Sequence, residues 1–224
     1  MNYLLEAFAY LADAGNWTGP LGAGRLLWQH LWYSLLGLAI AAAVAVPIGW
    51  WVGHTGRGRG LAVALSGGAR ALPTLGLVTL FGLMLGIGLA APMLAFVILA
   101  VPSVLAGAYA GVQGVDPAVV DGARASGMDE WQLLGRVEVP LGLPVLVGGL
   151  RSAMLQIIST ATLAAYVGAG GLGRLLFLGL KTQRYDMMLA ASLLVIALAL
   201  VSEIIFLTIQ RLATPVSART PGKE

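Results

Sequence analysis

The sequence predicts an all-helical integral membrane protein with about five membrane-spanning helices, and two observations lead to that prediction. Of its 224 residues, 58% are hydrophobic and only 10% are charged, whereas a soluble domain carries about 25% charged residues. Several apolar runs exceed the roughly 20 residues that a helix needs to cross a bilayer. The net charge of +3 is small and dispersed among loops, which does not indicate nucleic-acid binding. The absence of cysteine excludes disulfides and thiolate metal sites.

Five apolar runs predict the spans of a transmembrane region covering residues 26–210. The runs cover about 31–53, 61–90, 91–112, 141–167 and 187–210. As a helix, the second would be ~45 Å long, too long for one straight span and too short for two; Gly67, Gly68 and Pro73 predict a bend in it. Residues 168–184 predict an irregular glycine-rich connector. Residues 211–224 predict a disordered tail.

The N-terminal segment, residues 1–25, does not have the pattern of a secretory signal. It lacks a basic start and a long apolar core, and it carries Glu6 and Asp13. Leu4, Phe8 and Leu11 fall on one helical face. Two interpretations remain open: a short helix at the membrane interface, or a frayed tail.

The distribution of basic residues favours an external N-terminus and a cytoplasmic C-terminus, because five spans place the two ends on opposite sides. Seven basic residues then lie in cytoplasmic segments and four on the other side, and membrane proteins usually carry such an excess of Lys and Arg in their cytoplasmic loops. The cytoplasmic set is Arg57, Arg59, Arg124, Arg136, Arg211, Arg219 and Lys223, and the external set is Arg25, Arg174, Lys181 and Arg184.

A polar insert, residues 113–140, interrupts the apolar runs and holds 7 of the 23 charged side chains between Asp116 and Glu138. Asp116 followed by proline predicts a helix start, and Gly127 predicts the left-handed residue that ends the helix. Asp129, three residues before Gln132, predicts a capping box and a second short helix, which Pro140 is expected to stop. From these residues alone, a docking element and an ordinary surface loop fit equally.

The insert resembles the cytoplasmic EAA loop of bacterial ABC importer permeases. That pattern is Glu-Ala-Ala, three residues, Gly, nine residues, Ile, one residue, Leu-Pro. The same spacing here reads Asp121-Gly122-Ala123, Gly127, Val137 and Val139-Pro140, with Asp for Glu, Gly for Ala, and Val for Ile and Leu. The segments ARALPTLGLVTLFG, EVPLGLPVLVGGLRSA and TATLAAYVGAGGLG resemble the permease subunits of glycine betaine, choline and carnitine importers.

The resemblance implies a type I importer (MetI-like) permease fold in the inner membrane of a bacterium. It implies a non-enzymatic subunit of an ATP-driven importer of quaternary-amine compatible solutes, including proline-like ones. The implied partners are two ATP-binding subunits carrying ATP and Mg²⁺, a second identical or related permease, an extracytoplasmic binding protein, and membrane lipid. This chain has no Walker A motif and is expected to bind no cofactor. The residues implied in coupling to the ATPase are Asp121, Gly122, Ala123, Gly127, Val137 and Pro140.

Residues of the third span, the fourth span and the glycine-rich connector are candidates for the translocation pathway or its gate. The hydroxyl groups there could line the pathway or bond the helix backbone. The tyrosines could offer aromatic faces to a quaternary amine or anchor at the membrane interface. By resemblance, the glycine connector lies near the external mouth and forms part of the gate. The candidates are Tyr109, Ser159, Thr160, Thr162, Tyr166, Gly168, Gly170 and Gly171.

Three ionisable residues fall inside the predicted spans: Arg70, Arg151 and Glu203. A charge at mid-bilayer costs roughly 2.5–3.5 kcal/mol on insertion scales. Arg151 and Glu203 lie ~15 Å and ~12 Å along their helices from the cytoplasmic ends. This similar depth predicts an ion pair between them. Arg70 is expected to extend its guanidinium towards the cytoplasmic face.

Other features exclude or leave open further functions. His30 and His54, the only histidines, are too isolated in sequence to predict a metal site or a catalytic group. The pairs Gly82/Gly86 and Gly107/Gly111 predict close helix packing, within the subunit or between permeases. A permease for methionine or another small solute remains an alternative. A standalone channel or secondary transporter is another, although no inverted repeat supports it.

Overall fold

A computed structural model describes residues 2–68 and 72–214, and this part of the chain contains helices and no strand. The all-helical prediction is therefore confirmed. Within residues 2–68 and 72–214, four helical stretches are long and apolar enough to cross a membrane: Ala23–Thr55, Ala90–Gln113, Glu130–Val167 and Tyr185–Ala213. The α-helices are α1 (Tyr3–Ala12), α2 (Ala23–Thr55), α3 (Arg59–Gly68), α4 (Thr74–Leu85), α5 (Ala90–Gln113), α6 (Pro117–Ala125), α7 (Glu130–Leu133), α8 (Val139–Ala161), α9 (Gly173–Lys181) and α10 (Tyr185–Ala213).

The second apolar run forms two helices, α3 ending at Gly68 and α4 starting after Pro73, at the residues predicted to bend it. Helix α4 starts directly after Pro73, a position where the missing backbone N–H of proline costs no helical hydrogen bond. Arg70 and most of the predicted tail lie outside the described residues. The connector prediction also needs correction, because Gly173–Lys181 within it forms the regular helix α9.

The prediction that Pro140 stops the second helix of the insert is wrong. A π-helical turn, Leu134–Glu138, joins α7 to α8 without a break, and the Val139 N–H donates to the carbonyl of Leu134, five residues back. In a regular α-helix, the ring of Pro140 would clash with the carbonyl four residues before it. A widened π turn at this point relieves that clash, so the helix continues through the proline.

Residues Tyr3–Ala12 form the regular helix α1, which favours the short helix over the frayed tail as the interpretation of the N-terminal segment. Its buried face carries Ala7 and Tyr10, which are 0% and 8% exposed. They join a core cluster with residues of α2, α9 and α10. Leu4 and Phe8 of the predicted apolar face are instead about half exposed.

The described chain forms two compact units, residues 2–39, 72–99 and 154–202 in the first and residues 40–68, 100–153 and 203–214 in the second. In the second unit, α5 and α8 pack with almost no space between their backbones. A methyl group at Gly111 would lie 2.5 Å from the carbonyl oxygen of Gly142, and one at Gly107 would lie 2.9 Å from the Cα atom of Gly149. The Gly107/Gly111 pair thus packs within the subunit.

Candidate functional site

The first helix of the polar insert, α6, is capped at both ends by local interactions. Asp116 accepts the N–H of Ala118 at 2.9 Å, and Pro117 follows as the first helical residue. At the other end, Gly127 has φ +85° and donates to the carbonyl of Arg124 at 2.9 Å. The Met128 N–H reaches the Ala123 carbonyl at 3.3 Å. These two bonds form a Schellman motif, so the predicted helix start and left-handed stop are confirmed.

The start of α7 is fixed by the predicted capping box. The Asp129 carboxylate accepts the backbone N–H of Gln132 at 2.8 Å, and the Gln132 side-chain oxygen accepts the Asp129 N–H at 3.3 Å. Both amide groups would otherwise lack helical partners. The insert is therefore two capped helices joined by a short turn of defined geometry.

The predicted coupling residues of α6 lie on an open surface. Asp121 and Gly122 are exposed and Ala123 is half-buried. A methyl group at Gly122 or Gly127 would meet no neighbouring atom of the described chain within 4 Å. This surface can accept another backbone at close range. The remaining two candidates lie elsewhere: Val137 is half-buried in the π turn, and Pro140 is exposed in α8.

Charged side chains connect α6, α7 and the end of α2. The Arg124 guanidinium makes two 3.1 Å hydrogen bonds to the Glu130 carboxylate and lies 3.7 Å from Asp121. The hydrogen bonds and the charge of Glu130 raise the pKa of Arg124 above its usual value. His54 Nδ1 lies 2.6 Å from Glu138 Oε2, and His54 Nε2 lies 3.3 Å from Glu130 Oε2.

These contacts of His54 were not predicted, because His54 lies far in sequence from any residue that suggested a partner. Glu138 is 84 residues away in the chain, and no local sequence pattern predicts a contact over that separation. A cavity of about 540 Å³ opens beside His54. It is lined by Pro47, Trp50, Trp51, His54, Thr55, Glu130, Trp131 and Leu134.

The glycine connector is held against α2 by hydrogen bonds to three side chains in two adjacent turns of that helix. His30 Nε2 donates to the Ile158 carbonyl at 2.9 Å, and His30 Nδ1 accepts the Leu172 N–H at 3.3 Å. Because a carbonyl only accepts and an amide N–H only donates, the two bonds require the tautomer protonated at Nε2. Tyr33 adds a 3.0 Å bond to the Ala169 carbonyl, and Gln29 accepts the Gly171 N–H at 3.4 Å.

The connector glycines fit where side chains would not. Gly168, Gly170 and Gly171 have φ of +80°, +106° and +75°, a region that other residues rarely adopt. A methyl group at Gly170 would lie 2.8 Å from the Gln29 side-chain oxygen, and one at Gly168 would lie 2.6 Å from Ile87. The connector is therefore a defined turn packed against its neighbours.

The hydroxyl groups proposed for the pathway bond their own helix. Ser159 and Thr160 donate to the Gln156 carbonyl at 2.9 and 2.7 Å, and Thr162 donates to the Ser159 carbonyl at 2.7 Å. Of the two roles considered for these hydroxyl groups, lining the pathway or bonding the helix backbone, the bonds match the second. Tyr166 is 59% exposed, and its ring centroid lies 6.1 Å from that of Phe177.

Tyr109 differs from the other pathway candidates because its hydroxyl is buried and has no hydrogen-bond partner among the described residues. The side chain borders a cavity of about 220 Å³ in the second unit. A buried hydroxyl without a partner is costly, and such a group is available to a polar molecule entering the cavity. The other lining residues are Ala62, Val63, Leu105, Ala106 and Ala110.

Arg151 and Glu203 lie within ion-pair distance, with Arg151 Nη1 3.6 Å from Glu203 Oε1. Gln210 extends this contact: its side-chain oxygen accepts from Arg151 at 3.4 Å, and its amide nitrogen donates to the Pro144 carbonyl at 2.9 Å. The second Glu203 oxygen is buried without a hydrogen-bond partner among residues 2–68 and 72–214.

Comparison with solved structures shows the fold. A structure of the MetNI methionine ABC transporter in an inward-facing conformation aligns with a TM-score of 0.74, covering 86% of this chain and 96% of that chain at 19% sequence identity. An amino acid ABC transporter aligns with a TM-score of 0.64 over 84% of this chain and 90% of that chain, at 21% identity. The expected MetI-like permease fold is confirmed.

Comparison with known sequences shows the family. The chain is 34% identical over 192 residues to the carnitine transport permease protein OpuCB of Listeria monocytogenes, covering 86% of this chain and 88% of that protein. It is 31% identical to the osmoprotectant import permease protein OsmW of Salmonella typhimurium, covering 98% and 99% of the two chains. Residues 45–215 match the family described as the binding-protein-dependent transport system inner membrane component, and the chain belongs to that family.

Proposed function

We propose that this chain is the membrane-spanning subunit of an ATP-driven importer of quaternary-amine compatible solutes such as glycine betaine, choline and carnitine. The solute class is taken from relatives whose names specify carnitine, choline, glycine betaine or osmoprotectant transport. The chain is not itself an enzyme, and ATP and Mg²⁺ belong to a separate subunit. The importer contains a second permease and an extracytoplasmic binding protein in a bacterial inner membrane.

The observation that carries this proposal is the open, small-residue surface of α6. Gly122 is exposed with no neighbouring atom of the described chain within 4 Å of an added methyl group, and Asp121 and Ala123 flank it. The caps at Asp116 and Gly127 fix where the helix begins and ends. A groove of the ATPase can then hold α6, and closure of the ATPase dimer moves the helix and its permease between two states.

Purification of the tagged chain from its native membrane in mild detergent tests the proposal, with mass spectrometry of the proteins recovered. We expect an ATPase subunit to copurify. Gly122→Trp should abolish its recovery while the permease stays folded, because the indole meets the partner and not this chain. Gly60→Trp is the matched control, since Gly60 is also exposed and open. Recovery of the chain reproducibly free of any ATPase would favour a channel or secondary transporter.

The cargo is tested separately, because fold likeness to a methionine transporter at 19% identity does not define a solute. Proteoliposomes with the purified complex and its binding protein should accumulate labelled choline, glycine betaine or carnitine only with internal ATP. Accumulation of methionine instead would correct the solute and retain the importer. Flux by the permease without any ATPase would contradict the importer itself.

A further inference from the structure

The side chain of His54 joins two elements of the second unit that the capping interactions leave unconnected. It lies in the last turn of α2 and is 12% exposed, and its Nδ1 contacts Glu138 at 2.6 Å. Glu138, itself 7% exposed, is the last residue of the π turn. The other ring nitrogen faces Glu130 at 3.3 Å. In the described part of the chain, the hydrogen bonds and close nitrogen–oxygen contacts between side chains of α2 and the insert all come from His54.

Arg124 extends this contact to α6. Its two 3.1 Å bonds to Glu130 and its 3.7 Å approach to Asp121 complete a chain of polar side-chain contacts from α6 to α2. The Arg124–Glu130 pair is solvent-exposed, and such pairs contribute little to stability by themselves. The buried His54–Glu138 contact is different, because loss of one partner leaves the other buried without its bond.

The internal shape of the insert does not require His54. Asp116, Gly127 and the Asp129 capping box determine the two helices and their turn from within. The end of α2, in turn, is fixed against α5: a methyl group at Gly49 would lie 2.5 Å from the Ala108 Cβ atom, and one at Gly53 would lie 2.8 Å from that of Val112. His54 thus links a rigid insert to a closely packed pair of helices.

We propose that His54 is a positioning residue that transmits displacement of α6 to α2, through Glu130 and Glu138. This inference rests on the proposed function and specifies one link in its coupling. When the ATPase moves α6, the carboxylates carry His54 with them, and the α2–α5 pair follows. Without the imidazole, the insert can move while α2 lags, and ATP hydrolysis then continues with less transport.

The test uses the complete complex in proteoliposomes and measures solute transported per ATP hydrolysed. We expect His54→Ala to lower this ratio about fivefold or more, within the usual range of coupling between sites, while the ATPase remains bound and active. His54→Asn should restore most of the ratio, because its amide can still donate to Glu138. Thr55→Ala is the control, since that hydroxyl donates to the Trp51 carbonyl and accepts the Arg57 N–H, and neither contact reaches the insert. An unchanged ratio in His54→Ala would overturn the proposal.

A distance measurement covers the case in which His54→Ala fails to assemble. The chain has no cysteine, so Ile48→Cys in α2 and Val119→Cys in α6 can carry spin labels at exposed positions. With His54 present, we expect the same inter-label distance in the nucleotide-free and ATP-bound complexes. A distance that changes between those states would contradict the linkage. Absence of ATP-dependent uptake by the unmodified complex would instead contradict the proposed function.

Discussion

The imidazole of His30 and the backbone of Leu172 are joined by a 3.3 Å hydrogen bond across 142 residues of sequence. The ring is fully buried, and its other nitrogen donates to Ile158. We therefore expect His30→Leu to lower the free energy of unfolding, because it leaves a buried N–H and a buried carbonyl without these partners, at about 1–3 kcal/mol each. Thermal unfolding of the purified chain in detergent measures this.

The control for this variant is Trp28→Leu on the same helix, where the side chain is 65% exposed. We expect its unfolding midpoint to stay close to that of the unmodified chain. If His30→Leu unfolds at the same temperature as the control, the two hydrogen bonds do not hold the connector.

The close crossing of α5 and α8 predicts opposite effects of the same substitution at two glycines. Gly111→Ala places a methyl group 2.5 Å from the Gly142 carbonyl oxygen, and such overpacking costs about 1–3 kcal/mol. Gly122→Ala, in open space, should stabilise α6 by about 0.5–1 kcal/mol. Denaturant or thermal unfolding of both variants measures the difference. Equal midpoints would mean that the helices separate easily at Gly111.

The left-handed turn after α6 predicts that the residue at position 127 controls ATPase recovery. Gly127 has φ +85°, where an ordinary side chain costs about 1–2 kcal/mol and a β-branched one is least tolerated. Gly127→Val should therefore distort the turn and abolish copurification of the ATPase. Gly127→Asn should retain most of it, because asparagine tolerates this conformation. Equal recovery with both variants would show that the turn does not position α6.

The Arg151–Glu203 contact predicts non-additive effects on stability. Arg151→Met leaves both carboxylate oxygens of Glu203 without a cation. The substitution should therefore lower the free energy of unfolding more in the unmodified chain than in a chain that already carries Glu203→Gln. A double-mutant cycle on unfolding free energies should give a coupling of about 0.5–3 kcal/mol. Additive effects would contradict the pair. The pair would also be contradicted if Arg151→Ala abolished transport without affecting assembly while Glu203→Ala had no effect on transport.

The polar insert shows how far local sequence determines structure. Asp116, Gly127 and the Asp129–Gln132 pair each act on backbone groups within a few residues, so their roles could be predicted and are confirmed. Pro140 misled the prediction, because the residue alone does not reveal whether the preceding turn widens. The π turn at Leu134–Glu138 accommodates the proline in a continuous helix.

The sequence by itself determined the helical class, the apolar runs and the caps, because hydrophobicity and capping depend on composition and near neighbours. Only the tertiary structure decided which partners the two histidines have, since Glu138 and Leu172 lie 84 and 142 residues away. It also decided that Gly107 and Gly111 pack against α8. Contacts between distant segments depend on how the helices pack, and one sequence carries no local signal for them.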